Sequence, residues 1–258
     1  MSDRKTDYEV IVVGGGPSGA TAAHEIALAG HKVLLLERAF RIKPCGGAVP
    51  PCILGEFDIP RSLLKAEIQS ARMISPKVQK VDMPIEGTFV GMVDRDEFDP
   101  WLRLRAQRAG ADLELAAFKK VEYIDKTTLR VTYVSKDHET ETRTATARCV
   151  LGADGARSQV ARQGIPKHAD VPWVLAYHEI VEAPDAATED YDPERCEVWY
   201  QGGLSPDFYA WVFPHGKSAS IGVGSAHKDF SAKKSVNQLR AISGLDTAET
   251  IRKEGAPI

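Results

Sequence analysis

Three glycines near the start of the chain have the spacing of a phosphate-binding loop. Gly14, Gly16 and Gly19 form a GxGxxG pattern directly after Tyr8–Val13, an apolar run rich in β-branched residues that predicts a buried parallel strand. In such loops the first glycine permits a tight turn, the second lets the backbone approach a diphosphate, and the third brings helix and strand together. The free N–H groups of the following helix attract the anion. The pattern therefore predicts dinucleotide binding.

A carboxylate completes this motif. Glu37 ends a second predicted strand, Lys32–Glu37, about twenty residues beyond the loop, where an acidic side chain accepts hydrogen bonds from the adenosine ribose hydroxyls. This role disfavours a 2′-phosphate, so the pattern indicates FAD or NAD rather than NADP at this site. The alternative interpretation is a glycine-rich turn followed by a surface glutamate.

Two further patterns suit contact with a ligand. Cys45 lies between a proline and two glycines, a setting that is costly in a core element and favours close approach to a planar ligand. Tyr209, Trp211 and Phe213 alternate along a predicted strand, so that all three side chains share one side of a sheet. The alternatives are a buried, inert cysteine and an ordinary hydrophobic core face.

The elements that position these residues begin with a βαβ unit over the first 37 residues and continue with a strand-rich region. Asp94 and Glu97 have the spacing of a capping box at the start of a helix that runs to about residue 109. The remaining predicted elements are a first helix over 18–29, a β-meander over 111–153, strands at 173–180, 196–201, 209–213 and 218–224, and a helix over 234–251.

Composition excludes several classes of protein. The chain has 258 residues, of which 43% are hydrophobic and 27% charged, with a net charge of −3. These values exclude a disordered, collagen-like or coiled-coil chain and give no electrostatic case for nucleic-acid binding. No apolar window reaches the length of a membrane span, and the polar start is neither a signal peptide nor a transit peptide. The four cysteines form no CxxC pair, so we expect reduced thiols in a soluble, cytoplasmic protein.

A second motif favours FAD over NAD. Cys149–Ser158 runs from a predicted strand into Gly-Ala-Asp-Gly, and together with the first glycine motif and the β-meander it resembles the flavoproteins of the p-hydroxybenzoate hydroxylase fold. The resemblance implies that Asp154 and Gly155 lie near the FAD diphosphate and the path of the nicotinamide donor. It also implies that Arg95 faces the FAD. A simple Asp-Gly turn and a solvated arginine at a helix start are the alternatives.

The segment around Cys45 narrows the family. Residues 43–48 read Lys-Pro-Cys-Gly-Gly-Ala, a stretch that resembles the geranylgeranyl reductases, and further segments are similar to the chlorophyll and bacteriochlorophyll branch: 51–60, 73–76, 91–99, 176–179 and 204–215. The resemblance implies that NADPH reduces tightly but non-covalently bound FAD. The flavin then reduces the isolated double bonds of a geranylgeranyl group to phytyl, on geranylgeranyl diphosphate or on a pigment ester. This activity belongs to pigment biosynthesis in photosynthesis.

The resemblance also implies roles for particular residues. Cys45 is the candidate catalytic residue, beside the isoalloxazine, where its thiol would orient substrate or relay a proton. The aromatic strand would line a tunnel for the prenyl chain, which makes Tyr209, Trp211 and Phe213 the candidate substrate-binding residues. No spacing indicates a metal site, and we interpret the histidines at 178 and 215 as structural. The candidate cofactor-binding residues are Gly14, Gly16, Pro17, Ser18, Gly19, Glu37, Arg38, Cys45, Gly46, Gly47, Ala48, Arg95, Asp154 and Gly155.

We therefore expect an α/β fold in which a Rossmann-like FAD-binding domain, 1–72 and 94–165, is interleaved with a mixed antiparallel-sheet substrate domain, 73–93 and 166–258. The family's third FAD segment and its C-terminal helices are expected to be absent, which would impair FAD binding or catalysis. Peripheral contact with a photosynthetic membrane and complexes with pigment-synthesis enzymes are expected. The alternatives are an FAD-dependent aromatic monooxygenase and a non-catalytic flavin-fold fragment.

Overall fold

Two units, each with its own core, are built from segments that alternate along the chain. The computed structural model describes residues 6–40, 42, 45–136, 141–167 and 171–258. One unit comprises Met1–Arg41 and Phe98–Pro172, and the other comprises Ile42–Glu97 and Trp173–Ile258. In chain order the elements are β1 (Tyr8–Val13), α1 (Pro17–Leu28), β2 (Val33–Glu37), β3 (Ala48–Val49), α2 (Pro51–Glu56), a 3₁₀ turn (Arg61–Leu63), β4 (Leu64–Ile68), β5 (Ser70–Ile74), β6 (Lys80–Pro84), β7 (Val90–Val93), α3 (Arg95–Arg108), β8 (Asp112–Tyr123), β9 (Leu129–Ser135), β10 (Thr142–Gly152), α4 (Gln159–Gly164), β11 (Leu175–Glu182), β12 (Arg195–Trp199), β13 (Ala210–Pro214), β14 (Ser218–Ser225), α5 (Ala232–Ile242) and β15 (Thr250–Pro257).

The first unit is organised around the predicted βαβ element. Strands β1 and β2 pair in parallel, and β1 also pairs in parallel with the end of β10. The long strands β8 and β10 each take part twice, because one half joins the parallel strands and the other half pairs antiparallel with β9. The five strands thereby close into a ring. The predicted strands, first helix and meander are confirmed.

The core of the first unit explains why the parallel strands carry so few polar residues. Ile11, Val13, Leu34 and Leu36 alternate along β1 and β2 and are almost fully buried against residues of the meander. Strands covered on both faces read as continuous apolar runs, as β1 and β2 do.

The second unit is a seven-stranded sheet in the order β15-β11-β14-β13-β12-β5-β6, with a separate three-stranded sheet β3-β7-β4. Its core lies between the large sheet and α5, where Val236 and Leu239 of the helix are completely buried with Ile221 and Val223 of β14. The predicted strands between residues 173 and 224 are confirmed with small shifts of their ends.

The predicted helix over 234–251 is wrong in its second half. The helix α5 ends at Ile242, and Gly244, at a φ of +66°, turns the chain out of helical geometry. Residues 250–257 then form β15, which pairs antiparallel with β11 along its length. The sheet edge thus supplies hydrogen-bond partners that local propensity does not reveal.

The unit boundaries differ from the predicted domain boundaries of 1–72 with 94–165 and 73–93 with 166–258. The second unit includes Ile42–Glu97, so the described residues up to 72 and residues 94–97 belong to it rather than to the predicted FAD-binding domain; β4 pairs there with β7, and β5 pairs with β6 and β12. The functional assignment of the two domains stays a prediction. In the part of the chain that the structure describes, none of the helices has the length and hydropathy needed to cross a membrane.

Candidate functional site

The glycine loop forms a tight junction between β1 and α1. Gly14 has a φ of +104° and donates its N–H to the carbonyl oxygen of Leu36 at 2.7 Å. A Cβ on Gly19 would overlap the carbonyl oxygen of Gly14. The helix cap at Gly16 has no hydrogen bond from a side chain among the described residues, and Pro17 occupies the first turn. The backbone N–H groups at the N-terminus of α1 can therefore bind an anion.

The Gly-Ala-Asp-Gly segment lies directly against this loop. A Cβ on Gly14 would meet the Ala153 carbonyl group and would lie 2.9 Å from the Cα of Asp154. The Asp154 carboxylate accepts a hydrogen bond from the Ser158 hydroxyl and another from the backbone N–H of Gln159 at 2.6 Å. Asp154 thus supports the start of α4 as well as lying beside the loop. Its contact with FAD stays a prediction.

Glu37 is buried, with 6% of its surface exposed, so the alternative of a surface glutamate is wrong. Its Oε2 accepts the N–H of Gly15 at 2.7 Å and its Oε1 accepts the N–H of Ala39 at 2.9 Å. A carboxylate oxygen accepts two hydrogen bonds, so within the described part of the chain each oxygen keeps one lone pair for a ribose hydroxyl. The backbone bonds fix the carboxylate in place for such a contact.

Sequence reasoning missed Arg103. This arginine of α3 is 7% exposed and donates from Nη1 to the carbonyl oxygen of Gly15 at 3.0 Å, and its guanidinium lies 4.6 Å from the Phe40 ring centroid. The contact fixes the carbonyl side of the loop while Glu37 holds the Gly15 N–H. Arg103 shares a face of α3 with Asp99 and Ala106, which are also buried, so its helical spacing is the local signal that could have identified it.

The carboxylate of Glu37 should be needed for tight FAD binding. We expect Glu37→Gln to weaken binding by about 1–3 kcal/mol, because the amide presents a donor to one of two backbone N–H groups and loses the charge. Fluorescence titration of the apoprotein with FAD measures the change. Glu122→Gln, an exposed substitution on β8 in the same unit, is the control, and equal affinity of both variants would contradict the role of Glu37.

Several other predicted cofactor residues are solvent-accessible. Ser18 and Arg38 in the first unit are exposed, as are Gly155 and, in the second unit, Ala48. Their contacts with a cofactor stay predictions. Residues 41, 43 and 44 of the predicted segment lie outside the described residues.

The predicted aromatic face is confirmed as one surface in the second unit. The ring centroids of Tyr209 and Trp211 are 6.0 Å apart, and those of Trp211 and Phe213 are 6.4 Å apart. Trp211 is 4% exposed and donates its Nε1–H to the Ser220 hydroxyl at 3.1 Å. The substrate-binding role of this face stays a prediction.

Residues 45–47, which we call the cysteine turn, lie on this aromatic face. A Cβ on Gly46 would come within 2.6 Å of the Phe213 ring, so only glycine lets the turn approach so closely. The Cys45 side chain is exposed and its Sγ accepts the Gly47 N–H at 3.5 Å. Burial raises the pKa of Tyr209, and the neighbouring Tyr200 and Cys45 raise it further. The thiol therefore lies close to the aromatic residues.

A recess beside the turn collects polar groups from distant parts of the second unit. It is lined by Ile42, Cys45, Val93, Asp94, Arg95, His178, Ile180, His215, Arg252 and Glu254. His178 bonds the Ser220 hydroxyl at 2.9 Å and Glu254 at 2.8 Å. Glu254 has a lowered pKa because these contacts and the nearby arginines outweigh its burial. His178 thereby links the recess to Ser220, the partner of the Trp211 indole.

The predicted capping box at the start of α3 is not formed by the expected partners. The Asp94 carboxylate bonds His215 and the Glu97 carboxylate bonds Lys65. Arg95, predicted to face the FAD, is half-buried at the start of α3 and lines the recess. Both carboxylates bond residues that are distant in the chain, and a local sequence pattern does not show such partners.

The remaining cysteines differ in their surroundings. Cys52 and Cys149 are exposed, whereas Cys196 is buried, and burial raises the pKa of its thiol to about 12. Its Sγ lies 3.9 Å from the Met92 sulfur. A thiol with so high a pKa is inert, in agreement with a structural role for Cys196.

Comparison with known proteins gives the family. Residues 8–189 match the pyridine nucleotide-disulphide oxidoreductase family, and the chain belongs to this family. The geranylgeranyl diphosphate reductase of Rhodobacter capsulatus is 54% identical to it over 97% of this chain and 63% of its own length. The predicted resemblance to the geranylgeranyl reductases is thereby confirmed, and the chain spans less than two thirds of the length of this relative.

Solved structures confirm the fold class. A geranylgeranyl bacteriochlorophyll reductase-like protein from Thermoplasma acidophilum superposes with a TM-score of 0.85 at 27% identity, covering 97% of this chain and 66% of that chain. A flavin-dependent brominase has a TM-score of 0.76 at 15% identity over 97% of this chain and 68% of its own, which shows a shared fold alone. The α/β architecture is that of the p-hydroxybenzoate hydroxylase-like flavoproteins.

Proposed function

We propose that the protein is an FAD-dependent reductase that uses NADPH to hydrogenate isolated double bonds of a geranylgeranyl group. The observation that carries the proposal is the position of Cys45. Its turn lies on the face formed by Tyr209, Trp211 and Phe213, which joins an accessible thiol to an apolar surface. An alkene substrate needs both features, a dry surface for its chain and a proton donor beside it.

The first unit has the features that fit FAD. Gly14 lies too close to Gly19 and Ala153 for any side chain to fit between them. The backbone at the start of α1 can therefore approach a diphosphate closely. Each carboxylate oxygen of Glu37 accepts one hydrogen bond from the described residues, and its second lone pair could accept a ribose hydroxyl. When bound, reduced FAD supplies the hydride that an isolated alkene has to accept. The chain's own residues bind and orient the reactants.

Reduction of one double bond takes a hydride and a proton, and consumes one NADPH. We assign the proton to the Cys45 thiol, which gives its S–H proton to one alkene carbon while the hydride reaches the other. The exposed sulfur then regains a proton from solvent. The aromatic face holds the prenyl chain and excludes water, and positioning of this kind accounts for a large part of catalysis.

The substrate determines where such an enzyme works. A twenty-carbon prenyl chain, at about 0.8 kcal/mol for each buried CH₂ unit, partitions strongly into lipid. We therefore infer peripheral contact with a photosynthetic membrane and a geranylgeranylated pigment or geranylgeranyl diphosphate as substrate. The similarity to the Rhodobacter capsulatus reductase supports this inference. Contact with other pigment-synthesis enzymes would also deliver the prenylated substrate to this protein.

Anaerobic incubation with NADPH, FAD and a geranylgeranylated substrate tests the proposal. We expect mass spectrometry of the prenyl tail to show the gain of two hydrogens for each reduced double bond, as with the Rhodobacter capsulatus relative assayed in parallel. Product that forms only with oxygen would instead indicate a monooxygenase. Absence of flavin binding by the purified protein would favour a non-catalytic module.

A further inference from the structure

The turn that carries Cys45 is held by a histidine more than 160 residues away in the chain. The His215 side chain is 3% exposed, and its Nε2 lies 2.9 Å from the Gly46 carbonyl oxygen. A Cβ on Gly47, which has a φ of +76°, would come within 2.5 Å of the His215 Cε1. The turn therefore rests directly on the imidazole ring.

Both ring nitrogens of His215 face acceptors. Its Nδ1 lies 2.9 Å from Asp94 Oδ1, and a carbonyl oxygen, like an ionised carboxylate, has no hydrogen to donate. Each contact is a hydrogen bond only if the ring nitrogen carries the proton. A neutral imidazole has one N–H, so both bonds require the imidazolium.

The charge state of Asp94 agrees with a proton on both ring nitrogens of His215. Burial by itself would raise the pKa of Asp94, but the hydrogen bond from His215 and the positive charges of His215, Lys65 and Arg252 outweigh it, and that pKa is lowered. Asp94 thus stays ionised until the pH falls below the usual range of a carboxyl group, so its side chain acts as an acceptor. The other titratable groups around the recess are Cys45, Arg95, His178 and Glu254.

We propose that the Asp94–His215 ion pair positions the cysteine turn, with His215 held as an imidazolium that donates to both Asp94 and the Gly46 carbonyl. The Gly47 N–H then bonds the Cys45 Sγ, and the Gly47 carbonyl accepts the Val93 N–H at 2.9 Å, which joins the turn to β7. His215 is a positioning residue, because it touches the turn and acts through it. Its effect on alkene reduction rests on the proposed function, whereas the anchoring does not.

Loss of one proton from the ring removes one of the two bonds. The remaining N–H stays on Nδ1, because the ionised carboxylate of Asp94 is a stronger acceptor than the Gly46 carbonyl oxygen. The deprotonated Nε2 would then face the Gly46 carbonyl with a lone pair, and the turn would be released. The anchoring of the turn therefore depends on a proton at Nε2 of His215.

Hydrogen exchange of the turn tests this inference without cofactor or substrate. We expect His215→Leu to exchange the amides of residues 45–49 and 90–93 about ten- to a hundredfold faster than wild type, the effect of losing hydrogen bonds to a charged group. His178→Gln is the matched control, because His178 is equally buried in the same recess and its own bonds go to Ser220 and Glu254. Peptides of α5, which packs in the core of the same unit, report whether the fold is intact.

A conservative variant separates positioning from packing. The His215→Gln amide can still donate to the Gly46 carbonyl but carries no charge, so its turn should stay protected. This arm remains decisive if the leucine variant does not fold. Wild-type exchange in His215→Leu, equal acceleration in His178→Gln, or loss of the turn's protection in a folded His215→Gln would each overturn the proposal. Absence of alkene reduction would affect the proposed function alone.

Discussion

Replacing Cys45 with alanine is expected to slow alkene reduction by about 10²- to 10⁴-fold, the contribution of one positioned proton donor. Reduction of the flavin by NADPH should keep its rate, because that hydride transfer needs no proton from the cysteine turn. The Cys45→Ser variant should fall between the two proteins, since a hydroxyl can donate but is far less acidic than a thiol. The alanine change removes the exposed sulfur, which also accepts the Gly47 N–H, and leaves the contacts of the Gly46 and Gly47 carbonyl oxygens in place.

Anaerobic stopped-flow absorbance resolves the two half-reactions. The flavin is first reduced by NADPH and then mixed with the prenyl substrate, so that each step has its own rate constant. Cys52→Ala is the matched control, because Cys52 is also exposed and lies in the same unit on α2. If both half-reactions keep wild-type rates in Cys45→Ala, the cysteine has only a packing role.

The sequence predicts the first unit well because its signals are local. The loop needs Gly14 and Gly19 at a fixed spacing, the strands on either side are continuous apolar runs, and Glu37 follows at a characteristic distance. All of these lie within forty residues. The periodicity of two in the meander and in the aromatic strand is equally local, and both features are confirmed.

The sequence does not predict the polar recess, because its members come from segments that are far apart in the chain. Asp94 and His215 are 121 residues apart, and His178 and Glu254 are 76 apart. Each residue alone has several ordinary interpretations, and the capping-box pattern even gave Asp94 a different partner. The edge strand β15 was not predicted for a related reason. Its conformation depends on pairing with β11 rather than on local propensity.

The largest expected effect in the first unit comes from a single methyl group in the glycine loop. A Cβ at position 19 would overlap the carbonyl oxygen of Gly14, which is backbone and has no rotamer by which to move. The loop and the start of α1 must separate to accept it. We expect Gly19→Ala to destabilise the protein by about 1–3 kcal/mol, the usual cost of overpacking, and to weaken FAD binding by at least about tenfold.

Gly164→Ala is the matched control for this substitution. Gly164 also lies in a helix of the first unit, but a Cβ there meets no atom within 4 Å. Its stability should stay within about 1 kcal/mol of wild type, because only the difference in helix propensity remains. Urea unfolding of the apoprotein, followed by circular dichroism, measures stability without flavin, and titration with FAD measures binding. If Gly19→Ala unfolded and bound FAD like Gly164→Ala, the loop would have room to relax, and the close approach of β1 and α1 could not be what shapes the diphosphate site.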